Sequence, residues 1–224
     1  MDGRNGTQGS GGLTKWKFNK SEFDKPEKPE KIYLGGEAEV RIYSNFVEKI
    51  RKKKNYRVSE LDKILRESRT RTEARIISAA RRNGVPTPII LDVQGEKIVM
   101  ERIKGEPLRE IMDIELSRKL GELVAKLHEA RIIHGDITPM NLIYSKGRIF
   151  FIDFGLSFYD ERIESKGVDL HIYFESLKAY FDNWEELKKA FISGYESYDK
   201  ASEVLKRAEE IDARGRYVER RMRD

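Results

Sequence analysis

Three oxygen-bearing side chains are spaced to hold a divalent cation against a phosphate. Asp136 and Asn141 lie five apart within Ile133-His134-Gly135-Asp136-Ile137-Thr138-Pro139-Met140-Asn141, and Asp153-Phe154-Gly155 follows twelve residues later. Gly135 and Pro139 keep the first pair out of helix and strand. Carboxylate and amide oxygens are hard ligands that suit Mg²⁺, an ion that keeps waters and binds substrate phosphates. With Asn141 and Asp153 on the metal, Asp136 is left to accept a proton or orient a nucleophile. The competing reading makes Asp136 and Asn141 turn residues and Asp153 a loop cap. Turn chemistry alone does not require the joint spacing.

These side chains need elements to bring them together. Leu142-Ile143-Tyr144, Ser145-Lys146-Gly147-Arg148 and Ile149-Phe150-Phe151-Ile152 read as strand, tight turn and strand, which returns Asp153 beside Asn141. Upstream, Ile32–Leu34, Ala38–Tyr43 and Phe46–Ile50 read as three strands. Gly35-Gly36, between the first two, is a hairpin turn or a loop whose N–H groups approach a phosphate. A helix is predicted over Ser59–Arg82, with Ser59 and Asp62 as a capping box and Leu61, Ile64, Leu65, Ile76, Ile77 and Ala80 near helical spacing. Asn83-Gly84 stops it. Ile89–Val93 and Lys97–Met100 form a hairpin, and Glu101-Arg102-Ile103-Lys104-Gly105 breaks the pattern at a lobe boundary. Leu108–Asp113 reads as a short helix and Ser117–Ala130 as an amphipathic one, with His128 near its end suited to the helix dipole. His134 reads as a buttress of the Asp136 loop. Helical sequence then runs to about Ile211.

Composition narrows the classes. The chain has 224 residues, enough for one large domain or two small lobes, with 37% charged residues, a net charge of +5 and no cysteine. Neither a disulfide framework nor a thiolate metal site is possible, and a reducing compartment, cytoplasmic in location, is the expectation. The sequence has no apolar run of membrane-spanning length and no apolar core of a secretory leader near Met1. Met1–Gly12 reads as a flexible leader. Ala213–Asp224 carries five arginines and Tyr217, which suits either an RNA-binding arm or a solvated basic end.

The assembled segments have the order of a protein kinase: a catalytic Asp, a metal-binding Asn and an Asp-Phe-Gly aspartate. More narrowly, the chain resembles the small atypical kinase/ATPase subunit of the KEOPS (EKC) complex, the Bud thirty-two or p53-related protein kinase family. The resemblance runs from about Ile32 to the C-terminus. It rests on Gly35-Gly36-Glu37-Ala38, the Lys49 segment ending in Tyr56-Arg57, Arg69-Thr70-Arg71-Thr72-Glu73-Ala74-Arg75 and Ile133-His134-Gly135-Asp136-Ile137-Thr138. It continues through Ile152-Asp153-Phe154-Gly155-Leu156-Ser157, Lys166-Gly167-Val168-Asp169-Leu170 and Arg214-Gly215-Arg216.

The resemblance implies an α+β, minimal two-lobed kinase-like fold: an antiparallel N-lobe sheet with one helix, and a reduced, mainly helical C-lobe. The segments would be a leader or arm (1–30), the N-lobe (31–101), the C-lobe (102–212) and a basic tail (213–224). ATP and Mg²⁺ would be the cofactors. By position, Asp136 is the catalytic Asp, Lys49 and Glu73 (with Glu67 as competitor) pair on the phosphates, and Asn141 and Asp153 hold Mg²⁺. Gly35 and Gly36 cover the nucleotide, and the main chain of Glu101 and Ile103 meets the adenine, with Met100 behind it. Gly135 stands where most kinases carry an Arg that reads a phosphorylated loop, so switching by loop phosphorylation is not expected. The implied task is ATP hydrolysis supporting threonylcarbamoylation of tRNA, with Ser/Thr kinase and autophosphorylation capacity. The implied partners are the transferase and other KEOPS subunits, with tRNA met by the basic tail. A RIO-type ribosome-biogenesis kinase and a catalytically silent RNA- or partner-binding scaffold are the alternatives.

Overall fold

The computed structural model describes residues 28–221; the expected leader, most of the arm over 1–30 and the last three tail residues lie outside them. The first five strands are β1 (Lys31–Leu34), β2 (Ala38–Ile42), β3 (Phe46–Arg51), β4 (Ile90–Gln94) and β5 (Lys97–Glu101). They pair antiparallel in the order β1-β2-β3-β5-β4, so β3 is central. The register Val40↔Lys49↔Ile98 sets Lys49 mid-strand. The helix α1 (Ser59–Arg82) packs on β4 and β5. A small core of Ala74, Ile98 and Met100, with Val47, Ile90 and Val93 against it, joins helix to sheet.

The bounds of α1 agree with the predicted ones, but its start and its first buried turn do not. The N-cap is Val58, with no side-chain cap bond, so Ser59 and Asp62 form no capping box. Asp62 is instead buried, accepting from Arg66 Nε at 2.7 Å and from the Lys54 N–H at 3.3 Å. Leu61 and Ile64, expected on the packed face, are 53% and 64% exposed. The helix is turned so that Asp62, Thr70, Glu73, Ala74, Ile76 and Ile77 face inward. A buried carboxylate must be paired, and Arg66 on the helix and Lys54 in the β3–α1 connection supply its partners.

The rest of the chain is mainly helical. In order come β6 (Glu106–Pro107), α2 (Leu108–Ile111), α3 (Ile114–Glu129), β7 (Ile132–Ile133), β8 (Leu142–Ser145), β9 (Arg148–Phe151) and β10 (Phe158–Tyr159). Then come α4 (Ile163–Tyr180), α5 (Trp184–Tyr195) and α6 (Ala201–Arg221). Asp113 caps α3 by accepting the Leu116 N–H at 2.7 Å, which is why α3 starts ahead of Ser117. Lys146 and Gly147 both have positive φ, the turn that matches the twist of a two-residue hairpin between β8 and β9. The backbone of α6 runs past the boundary expected near Asp212; side chains from residue 215 on lie outside the described residues.

Leu120, Val124 and Leu127 of α3 share one core with Tyr173, Phe191 and Tyr195, and with Ile76, Ile77 and Ala80 from α1. Each large apolar side chain buried there contributes about 1.5–3 kcal/mol. Because α1 sends its second half into this core, the sheet and the helical body are tied by packing as well as by the linker.

Candidate active site

The loop from His134 to Asn141 is held from below. Asp169 on α4, buried, accepts the N–H of His134 through Oδ2 and the N–H of Gly135 through Oδ1, each at 2.8 Å. Gly135 has φ +80°, and a Cβ there would meet the Leu156 carbonyl oxygen at 2.6 Å, so this position requires glycine. His134 packs its ring 4.7 Å from Phe154 and 5.6 Å from Phe151. Its Nδ1 accepts the Asp136 N–H at 3.3 Å. Burial pulls its pKa down, so the ring is neutral and carries its proton on Nε2, which is buried without a partner among the described residues. His134 is thus a buttress of the loop.

His128 is corrected in one respect. It is buried and its pKa is also lowered by burial, so it places no charge at the end of α3. Its ring nitrogens meet the Tyr195 hydroxyl at 2.6 Å and Asp169 at 3.4 Å instead.

At the loop's far end the Asn141 amide nitrogen donates to Asp136 Oδ2 at 2.8 Å and to the Asp136 carbonyl at 3.0 Å. That leaves Asn141 Oδ1 as the atom able to take a cation. The hairpin closes as expected: the Ile152 N–H donates to the Asn141 carbonyl at 3.1 Å, next to Asp153.

Asp153 meets the N-lobe through Lys49. The Lys49 ammonium donates to Asp153 Oδ1 at 2.7 Å and to Glu73 Oε1 at 2.6 Å. Burial alone would lower the Lys49 pKa, but the two carboxylates outweigh it and hold it above the usual lysine value. Burial would raise the Asp153 pKa; Lys49 and the Gly155 N–H outweigh it and hold it low. Of the two helix carboxylates considered, Glu73 makes the pair, while Glu67 lies 3.4 Å from Arg71 at the surface. A Cβ on Gly155 would come within 3.0 Å of Asp153 Oδ1 and 3.2 Å of Lys49 Nζ, so the glycine after Phe154 keeps this junction open.

The remaining predicted residues frame the cleft less closely. The Gly35 N–H closes the β1–β2 turn on the Ala38 carbonyl at 2.9 Å, and a Cβ on Gly36 would meet nothing within 4 Å. Both glycines therefore serve a hairpin whose tip is open. The Glu101 N–H is taken by the Ile89 carbonyl at 2.8 Å, so Glu101 can offer a ligand only its carbonyl. Met100 lies in the sheet's small core. A groove of about 560 Å³ between α1 and β4, lined by Arg71, Arg75, Arg82 and Tyr159, contains none of these site residues.

The site fits a metal-bound nucleotide. It offers an amide oxygen and a carboxylate for Mg²⁺, a buried ammonium with one of its three donors uncommitted, and a cleared space beside it. Two further residues were not in the expected set. Asp169 stands in a family segment, but only its bonds to two loop amides show what it does. Arg51, two residues beyond Lys49, donates to Glu73 Oε2.

A family model described as a RIO domain matches residues 22–167. A protein of Archaeoglobus fulgidus named probable serine/threonine-protein kinase BUD32 homolog is 61% identical over 190 residues, covering 85% of this chain and 97% of its own length. The KEOPS complex subunit Bud32 of Pyrococcus abyssi is 39% identical over 208 residues, 85% of this chain and 93% of that protein. A probable bifunctional tRNA threonylcarbamoyladenosine biosynthesis protein of Methanocorpusculum labreanum is 46% identical over 204 residues, 91% of this chain but 39% of that protein. Among solved structures, the ADP/Mg²⁺-phosphoaspartate complex of the Rio2 kinase from Chaetomium thermophilum is similar with a TM-score of 0.59 and 16% identity, over 83% of this chain and 67% of that one. At that identity the likeness concerns the fold.

Proposed function

The chain belongs to the Bud32 family and carries a RIO domain, and on that footing we propose that it transfers the γ-phosphoryl group of Mg²⁺-bound ATP as a KEOPS subunit, in support of tRNA threonylcarbamoyladenosine formation. The observation that carries this reading is the bridge from Glu73 through Lys49 to Asp153, which joins helix, sheet and C-lobe loop at one ammonium. Bound ATP supplies the phosphoryl group, and Mg²⁺ draws charge off its oxygens.

The chain's own residues do the positioning. Lys49 offers its third donor to the phosphates. Asn141 Oδ1 and Asp153 hold the cation. Asp136, oriented by the Asn141 amide, accepts the proton of the attacking hydroxyl or water. The Glu101 carbonyl and the Ile103 main chain meet the base, and Gly35-Gly36 close over the phosphates.

A RIO-type ribosomal role shares this domain. Identities of 61% and 39% to a Bud32 homolog and a KEOPS subunit Bud32, each over 85% of this chain, against 16% to the Rio2 structure, favour the KEOPS reading. To test the site, Mg²⁺-dependent nucleotide binding and ATP turnover are measured for the wild type, Asp136→Ala and Asp153→Ala. Asp136→Ala should lose about a hundredfold or more in turnover with nucleotide still bound. Asp153→Ala should lose the Mg²⁺ dependence of binding as well. Turnover unchanged in both variants would leave the scaffold reading standing.

A further inference from the structure

Arg51 is a buried cation that phosphate binding does not call for. It follows Lys49 by two residues on β3, so both side chains leave the same face of the sheet. Lys49 is 7% exposed, Arg51 6% and Glu73 3%. The two cations divide one carboxylate: Lys49 donates to Glu73 Oε1, and Arg51 donates to Oε2. Arg51 is fixed in turn. Its N–H donates to the Glu96 carbonyl at 3.0 Å, and its carbonyl accepts from Arg66, which also pairs with the buried Asp62 and with Glu96.

Burying a guanidinium is costly unless its donors are met. Here Nε is buried with no partner among the described residues. The arrangement gives up a hydrogen bond and keeps the contact to Glu73.

We propose that Arg51 is a positioning residue for Lys49. By taking Oε2 it fixes the rotation of the Glu73 carboxylate, and by neutralising Glu73 it leaves the Lys49 charge to be spent on Asp153 and the nucleotide. Without it, the whole Glu73 charge falls on Lys49 and draws the ammonium toward α1. Arg51 through Glu73, and Arg66 through the Arg51 carbonyl and Glu96, hold α1 on the sheet. The role rests on the phosphoryl-transfer reading above.

The test uses the full chain with a non-hydrolysable ATP analogue and Mg²⁺ in calorimetry, alongside ATP turnover. The variants are Arg51→Met, Arg51→Lys, Glu73→Gln and the double Arg51→Met/Glu73→Gln. Arg51→Met should lower kcat/KM by about tenfold to a hundredfold and weaken analogue binding. Arg51→Lys should recover part of the loss, since it keeps the charge without the fork. In the Glu73→Gln background, removing Arg51 should change either quantity by less than about twofold, because Arg51 acts through Glu73. Losses that multiply, or an Arg51→Met variant that loses only melting temperature, overturn the proposal. Should the Met variant not fold, Arg51→Gln carries the same comparison. A wild type that neither binds the analogue nor turns over ATP sinks the phosphoryl-transfer reading itself, a result distinct from a working wild type indifferent to Arg51.

Discussion

Asp169 and the two buried histidines show how the loop chemistry is supported from beneath. One carboxylate meets two loop amides and touches His128, while His134 fills the space between loop and Phe154. Both rings are neutral in the fold, held below the usual histidine value first by burial, with Asp169 pulling the other way on each and Lys166 adding to the lowering at His128. The unfolded chain takes up protons near pH 6.5. The stability these histidines contribute is therefore fully present above that pH and is lost as pH falls below it, by up to about 1.4 kcal/mol per pH unit for each group. Asp153, held low, keeps its charge down to more acidic pH and does not add to the slope in this window. Denaturant titrations at pH 7.5 and 5.5 check this: the wild type should lose more stability between the two than His128→Gln does. Parallel losses would contradict it. The convergence of Asp136, Asn141 and Asp153 at one end of the hairpin was legible because each is a chemical group at a telling spacing. Arg51 and Asp169 were not, because an arginine in a basic stretch and an aspartate on a helix read as solvated charges until their partners are seen.

Among the elements, those with strong local signals were legible, but the facing of the first turns of α1 was not. The end of α1 and the hairpin of β8 and β9 follow from Asn83-Gly84 and Lys146-Gly147, whose backbone demands are local. Which side of α1 is buried depends on Asp62 finding Arg66 and the Lys54 N–H, and periodicity weighs a buried aspartate as polar. The crossing of α3 and α5 was likewise invisible. A Cβ on Gly194 would come within 1.9 Å of the Arg118 carbonyl oxygen, and one on Gly121 within 2.1 Å of the Phe191 carbonyl oxygen. Two glycines on separate helices let the backbones touch, and no window of one helix reveals the other. Gly194→Ala should therefore destabilise the C-lobe by about 1–3 kcal/mol or more, lowering the melting temperature by roughly 2–12 °C. Analogue affinity in the folded fraction should be little changed. An unshifted melting curve would mean that the helices separate at no cost.

At the scale of the molecule, the fold is a sheet and a helical body joined, besides the linker, by the apolar core that α1 enters and by the ammonium of Lys49. The first was legible as helical apolar spacing, the second only through a resemblance that named Lys49 and Glu73 together. The chain matches nearly the whole of its Archaeoglobus relative but 39% of a bifunctional one named for tRNA threonylcarbamoyladenosine biosynthesis. The role proposed above is phosphoryl transfer in the service of a transferase subunit. The direct test follows the label of γ-labelled ATP with Mg²⁺, for the wild type and Asp136→Ala, alone and with the transferase subunit and tRNA. The expected result is label released as free phosphate, more of it with partner and tRNA, and little from Asp136→Ala. Label found mainly on a partner's serine or threonine, at a rate indifferent to tRNA, would contradict it.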